Sequence, residues 1–231
     1  MQRAGYAGSL AGQDSVDRRA QFISRTYNHL FGAIVAFALI EVALFQLGIA
    51  ESIARAMLGT SWLLVLGAFM LVSWLATHVS HSSASRPAQY AALGGYVLAQ
   101  AIIFVPLLYV ANAVAPGVIS SAALVTFAGF AGLTGIAFYT RKDFSFLRGI
   151  LMWGGVSALV LIVAGALFGF QLGTFFSVAM VAFAGAAILY DTSNVLHHFP
   201  EDRYVGAALE LFASVALLFW YVLRLFIAAR R

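Results

Sequence analysis

Long apolar stretches separated by short polar clusters make up most of the chain. Seven stand out: residues 27–49, 61–79, 88–111, 116–138, 145–168, 172–195 and 204–227. Each approaches or exceeds the ~20 residues that a helix needs to cross the hydrocarbon layer. They are too long and too uniformly apolar for barrel strands, and a spanning segment must satisfy its own backbone, so each predicts a transmembrane helix. The short breaks between them predict an all-α, polytopic membrane protein: a seven-helix bundle over residues 27–231. A polar N-terminal arm, residues 1–26, precedes it and carries Arg3, Arg18, Arg19 and Arg25 among small residues such as Gly5, Ala7, Gly8 and Ser9. The arm is expected to begin disordered and to run into a short interfacial segment.

Composition agrees with this pattern. The chain is 62% hydrophobic and 10% charged, with a mean hydropathy of +0.93, whereas soluble domains carry about 25% charged residues. The net charge of +4 does not point to nucleic acid, because the basic residues are scattered at the ends of apolar runs. There they orient the protein. With the N-terminus in the cytoplasm, nine basic residues fall on the inside and four on the outside, which favours that orientation. Seven crossings then put the C-terminus outside, against which the terminal pair Arg230 and Arg231 argues mildly. No cysteine is present, so disulfides, thiolate catalysis and cysteine-ligated metals are excluded. No cleavable leader is recognised, and the first span is expected to act as its own targeting signal.

Glycines at small-residue spacing, Gly129/Gly132 and Gly165/Gly169, predict close helix approach. No internal repeat is visible, since spans three and four differ from five and six in charge and proline placement.

Acidic residues inside the spans are the candidates for chemistry, because ionisable groups at membrane depth are costly and commonly functional. Asp191 lies in the last turns of the sixth span and Glu210 about two turns into the seventh. A short loop joins these spans, which should pack as an antiparallel pair. The two carboxylates are therefore expected to approach each other or to share a polar cavity, and such a pair can share a proton. The alternatives are that Asp191 ends its helix at the interface, bonded to Thr192, Ser193 or water, and that Glu210 pairs with Arg203 or Arg148. Ser214 follows Glu210 by one turn on the same helix face. Glu41 lies deeper, in the first span, and is expected to face the bundle interior as part of a polar pathway or as a structural acid.

Four histidines are candidates for pH sensing: His78 and His81, three apart at the inner end of span two, and His197 and His198 in the 6–7 loop. No metal site is expected, because three or four convergent ligands are needed and the adjacent His197 and His198 diverge. Arg141, Lys142, Asp143, Phe144 and Ser145 read as a helix start, with Asp143 or Ser145 as cap of span five and the basic pair at the headgroups. No nucleotide loop, nucleophile triad, zinc-protease motif or phosphate cradle is present, so no catalytic residue is assigned and an enzyme is not expected.

Several stretches together resemble the Bax inhibitor family. Phe138 to Ser145, with Leu147 to Leu151 after it, resembles the opening of that family's fifth span. Ile188-Leu189-Tyr190-Asp191-Thr192 resembles its sixth-span signature, and Ala207 to Phe212 with Leu218-Phe219 and Leu223 to Phe226 resembles its last span. The resemblance implies a bundle with the last helix surrounded by the others. It further implies a pH-sensitive calcium or proton leak with a role in ion homeostasis and stress protection. In the family the sixth-span Asp, here Asp191, pairs with a second Asp in the last span. That second position falls on Ser214 here, and the following Asn position on Leu217. The absent second aspartate resembles the bacterial branch associated with a membrane-anchored AAA protease. Two readings follow: an ion leak of the inner membrane using Asp191, aided by Glu210, with at most transient Ca2+ and no other cofactor; or a non-conducting modulator of such a protease. The partners expected are the lipid bilayer and, on the second reading, the protease.

Overall fold

The computed structural model describes residues 2–82, 85–114 and 116–230, with side chains from residue 16 onward. Among them are eight helices: α1 (Gln2–Gln46), α2 (Ile49–Leu58), α3 (Trp62–Ser82), α4 (Arg86–Val114), α5 (Val118–Thr140), α6 (Leu147–Phe168), α7 (Gly173–His197) and α8 (Tyr204–Ala228). Seven of them are long and apolar enough to cross a membrane. All seven predicted spans are thus present, and the protein is a multi-pass helical membrane protein.

Helix α8 is the axis. It packs against α1, α3, α4, α5 and α7, whereas α6 touches only α7 and α3. The sequence allows this because one side of α8 after another is small. Gly206, Ala207, Ala208, Ser214 and Ala216 are buried, so neighbouring backbones come close without leaving voids. At Gly206 a Cβ would stand 3.3 Å from the carbonyl oxygen of Ser80. Only glycine permits α3 to approach there undisturbed. Further along, the ring of Phe104 on α4 meets Phe37, Phe219 and Trp220 with centroids 5.2, 5.5 and 4.9 Å apart. These edge-to-face and stacked pairs lock α1, α4 and α8 together.

Three departures from expectation have local causes. The segment before the first span is helical, as part of α1, and it is packed from Arg19 onward. Phe22 and Thr26 are buried, Phe22 stacks on Phe199, and Arg19 donates to the Phe199 carbonyl at 2.6 Å. The charged residues on this stretch mask an apolar face that docks on the α7–α8 connection. The side chains of Arg3, Gly5, Ala7, Gly8 and Ser9 lie outside the described residues. Second, α2 is an additional short helix between the first two crossings. It buries Ala50 and Ala54 against Val105 and leaves Glu51 and Arg55 exposed as an i,i+4 pair. Third, the paired glycines divide their work. Gly129 faces Leu218 of α8, but Gly132 faces open space. Gly169, at φ 75°, ends α6 in the left-handed conformation, its N–H returning to the Gly165 carbonyl.

Candidate functional site

Asp191 is buried, 8% exposed, six residues before the end of α7. Its immediate partner is Ser214 of α8, whose Oγ donates to Asp191 Oδ2 at 2.5 Å. Antiparallel packing of α7 on α8 brings this about. The short turn after His197 folds α8 back along α7, so residues roughly equidistant from the turn meet. Asp191 therefore does not end its helix at the interface; it bonds to Ser214 rather than to Glu210, whose charge lies within reach of it.

Glu210 points elsewhere. One turn before Ser214, it places Oε1 2.7 Å from His81 Nε2 of α3. The backbone of His81 is held as well, since Arg203 donates to its carbonyl oxygen. The ring of His81 lies against Phe199. So α3, α8 and the α7–α8 turn are tied at one point. Glu210 pairs with neither Arg203 nor Arg148; Arg203 instead approaches Asp202 at 3.4 Å.

On its other side Asp191 neighbours hydroxyl groups. Tyr27 of α1, Thr134 of α5 and Thr192 of α7 face one another there, and Thr192 and Ser193 are fully buried. Ser193 Oγ accepts the N–H of Phe144 at 2.9 Å, fastening the α5–α6 turn to α7 two residues past Asp191. Asp143 completes this latch. Its Oδ1 accepts the Ser145 N–H at 2.9 Å, and its Oδ2 lies 3.0 Å from His198 Nε2. The Ser145 amide, then the His198 ring, hold the Asp143 carboxyl below the ordinary aspartate range. Neither Asp143 nor Ser145 caps the helix that follows. Helix α6 begins at Leu147, its N-cap Phe146 making no side-chain cap bond, and Asp143 closes the turn before it.

A cavity of about 1080 Å³ lies between α3, α4, α6, α7 and α8. On α8 its lining runs from Ala228 to Ser214 and Ala213, about 21 Å at 1.5 Å per residue. Gln100, Gln171, Thr174, Ser177 and Arg224 give the otherwise apolar wall its polar points. The partner of Asp191 thus lines the deep end of a space that reaches toward one face of the bundle. Neither Glu210 nor His81 belongs to its lining.

The remaining candidates stand apart. Glu41 is buried at 6% exposure, and neither of its carboxylate oxygens has a hydrogen-bond partner among the described residues. His78 is exposed and stacks on Trp74, so it does not act with His81. The His197 and His198 rings stand 6.1 Å apart at 62°, and only His198 reaches an acid. No group of three or more His, Asp or Glu suited to a metal occurs among the described residues. Sequence reasoning missed Tyr27, and it missed His29, whose Nε2 lies 2.9 Å from the Tyr90 hydroxyl. Both are polar residues on apolar faces of α1, a pattern that marks an inward-facing or groove-facing position.

Fold and site define a class: a multi-pass helical membrane protein with a buried acid where the last two spans meet. Residues 19–231 match the family described as "Inhibitor of apoptosis-promoting Bax1", and the chain belongs to that family. It is 37% identical to an uncharacterised Pseudomonas aeruginosa protein over 112 residues, 47% of this chain and 49% of that one. Identity is also 37% to the Escherichia coli K12 protein named modulator of FtsH protease YccA, over 81 residues, 35% of this chain and 36% of that one. With the Arabidopsis thaliana protein LIFEGUARD 4 identity is 28% over 226 residues, 94% of this chain and 88% of that one. The matched segment spans about half of the Pseudomonas protein and about a third of YccA.

Proposed function

We propose that this protein is a proton-responsive ion leak of the inner membrane, with Asp191 as the group that governs passage. The observation carrying this reading is the 2.5 Å bond from Ser214 to Asp191 at the deep end of the cavity. Ser214 lines the cavity and Asp191 stands directly behind it, so protonation of the acid exchanges an acceptor for a donor beside Ser214. The donor set favours protons over calcium as the resident ion. Calcium takes about six to eight oxygens, several of them carboxylate, whereas Asp191 is bonded by the Ser214 hydroxyl and the second acid near it, Glu210, is engaged by His81. The N-terminus is assigned to the cytoplasm, because Arg18, Arg19, Arg25, Arg86, Arg141, Lys142, Arg148 and Arg203 gather at the end of the bundle where α1 starts. The test is flux in reconstituted liposomes loaded with pH and calcium dyes. Wild type should pass protons in a pH-dependent manner, and Asp191→Asn should not. Wild-type flux equal to that of empty liposomes at every pH overturns the reading.

A second reading rests on the similarity to YccA: a non-conducting modulator of a membrane-anchored AAA protease. On this reading the segment before residue 16 reaches the protease from the cytoplasmic face. Removing it should change the lifetimes of protease substrates in cells, and unchanged lifetimes would count against it.

A further inference from the structure

A second concavity, about 450 Å³, lies between α1 and α4 and is lined by other α4 residues than the Ser214 cavity. Its walls are Gly32, Ala36 and Ile40 of α1 and Gly94 and Val97 of α4. The glycines keep it open. A Cβ on Gly32 or Gly94 would meet no atom within 4 Å, so neither is there for helix contact. In lipid such a space is never empty, because acyl chains fill it.

The mouth of the groove is polar and basic. His29 and Tyr90 are bonded across it at 2.9 Å, and His29 lies 5.0 Å from the ring of Tyr204. Over that same ring stand two guanidiniums, Arg25 of α1 at 5.7 Å and Arg86 of α4 at 5.9 Å. Among the described residues neither has a carboxylate partner. Two cations that converge on one ring repel each other, and a shared anion relieves this. Their depth fits a headgroup. Arg25 stands about 31 Å along α1 from Gln46 at 1.5 Å per residue, the thickness of the hydrocarbon layer, and Arg86 is the first residue of α4.

We propose that this groove is a binding site for an anionic phospholipid. The phosphate sits between Arg25 and Arg86, with His29 and Tyr90 beside it, and one acyl chain runs along Gly32, Ala36 and Gly94. Arginine suits the task because its planar fork donates two bonds to a phosphate. The lipid then acts as a staple between α1 and α4 at the face that carries the Glu210–His81 pair.

The experiment is native mass spectrometry of the purified full-length protein with phosphatidylglycerol or phosphatidylcholine added at matched chain length. Wild type should retain phosphatidylglycerol over phosphatidylcholine by about ten-fold or more, on the scale of ~1 kcal/mol for each arginine near an anionic headgroup. The Arg25→Gln/Arg86→Gln protein should lose this preference, and Arg25→Lys/Arg86→Lys should keep most of it. Gly94→Leu, whose side chain grows into open space, should lose the lipid with both arginines intact and an unchanged melting midpoint. Where that midpoint falls, Gly32→Leu replaces it. Equal retention of the two lipids by wild type overturns the proposal, as does undiminished retention in the glutamine protein. Displacement of the diacyl lipid by soluble glycerophosphoglycerol also overturns it, since the chain groove would then contribute nothing.

Discussion

Ser214 donates a hydrogen bond to Asp191 across the α7–α8 interface, at 2.5 Å between two buried side chains. The contact fixes the register of the two last spans, because it is a directed polar bond in a region otherwise held by apolar packing. Replacing Ser214 with alanine leaves a buried acceptor without its donor, which costs about 1–3 kcal/mol. The melting midpoint of Ser214→Ala in detergent should therefore fall. Asp191→Asn should fall less, because an amide oxygen still accepts from Ser214.

Ser214→Asp tests the leak reading from the opposite direction. It sets a second carboxylate beside the first, and two such groups at this distance share one proton. The expected result is a steeper pH dependence of proton flux in liposomes than wild type shows, together with calcium flux that wild type lacks. A flux profile superimposable on wild type would remove Asp191 from the pathway.

The Asp143 latch carries its own pH dependence. Its carboxyl is held below the ordinary aspartate range by the Ser145 amide and the His198 ring. A depressed folded value means that the carboxylate contributes stability above the unfolded value of ~3.9 and loses it as the pH falls through the folded one. Asp143→Ala should thus melt below wild type at about pH 6, and the gap should narrow as the pH falls below ~3.9 and through the lowered folded value. Melting curves across that window check the sign.

Packing around the axis predicts two further losses. Gly206→Val drives a branched side chain into the Ser80 carbonyl, only 3.3 Å from where the first carbon would stand. Displacing α3 from α8 should cost roughly 1–3 kcal/mol. Phe104→Ala removes a ring that touches Phe37, Phe219 and Trp220 and should cost about 3–5 kcal/mol. Thermal unfolding in one detergent, followed by tryptophan fluorescence for the first and by circular dichroism for both, orders the two.

The sequence shows the crossings plainly, since a run of apolar residues the length of a bilayer has few other uses. Helix α2 is not visible there, because ten residues carrying Glu51 and Arg55 look like a loop until Ala50 and Ala54 are seen against Val105. The meeting of Asp191 with the Ser214 position follows from the family resemblance, which aligns them as partners. The expectation that Asp191 would face Glu210 treated two acids on adjoining helices as natural neighbours. The two acids do lie within reach of each other's charge, but each bonds elsewhere: Glu210 to His81, a partner on α3 far away in sequence, and Asp191 to Ser214. Likewise nothing local to His29 announces Tyr90, which is brought across by the packing of α1 on α4.

The central position of α8 bears on how the protein is made. The five helices that α8 packs against, α1, α3, α4, α5 and α7, emerge from the ribosome before it, so until it arrives Asp191 and His81 lack their partners. Ser214 and Glu210 of α8 supply those partners. A chain halted before residue 204 therefore carries a buried acid and a histidine whose polar partners have not yet been made, and the last helix completes the polar pairing of the bundle as well as its packing.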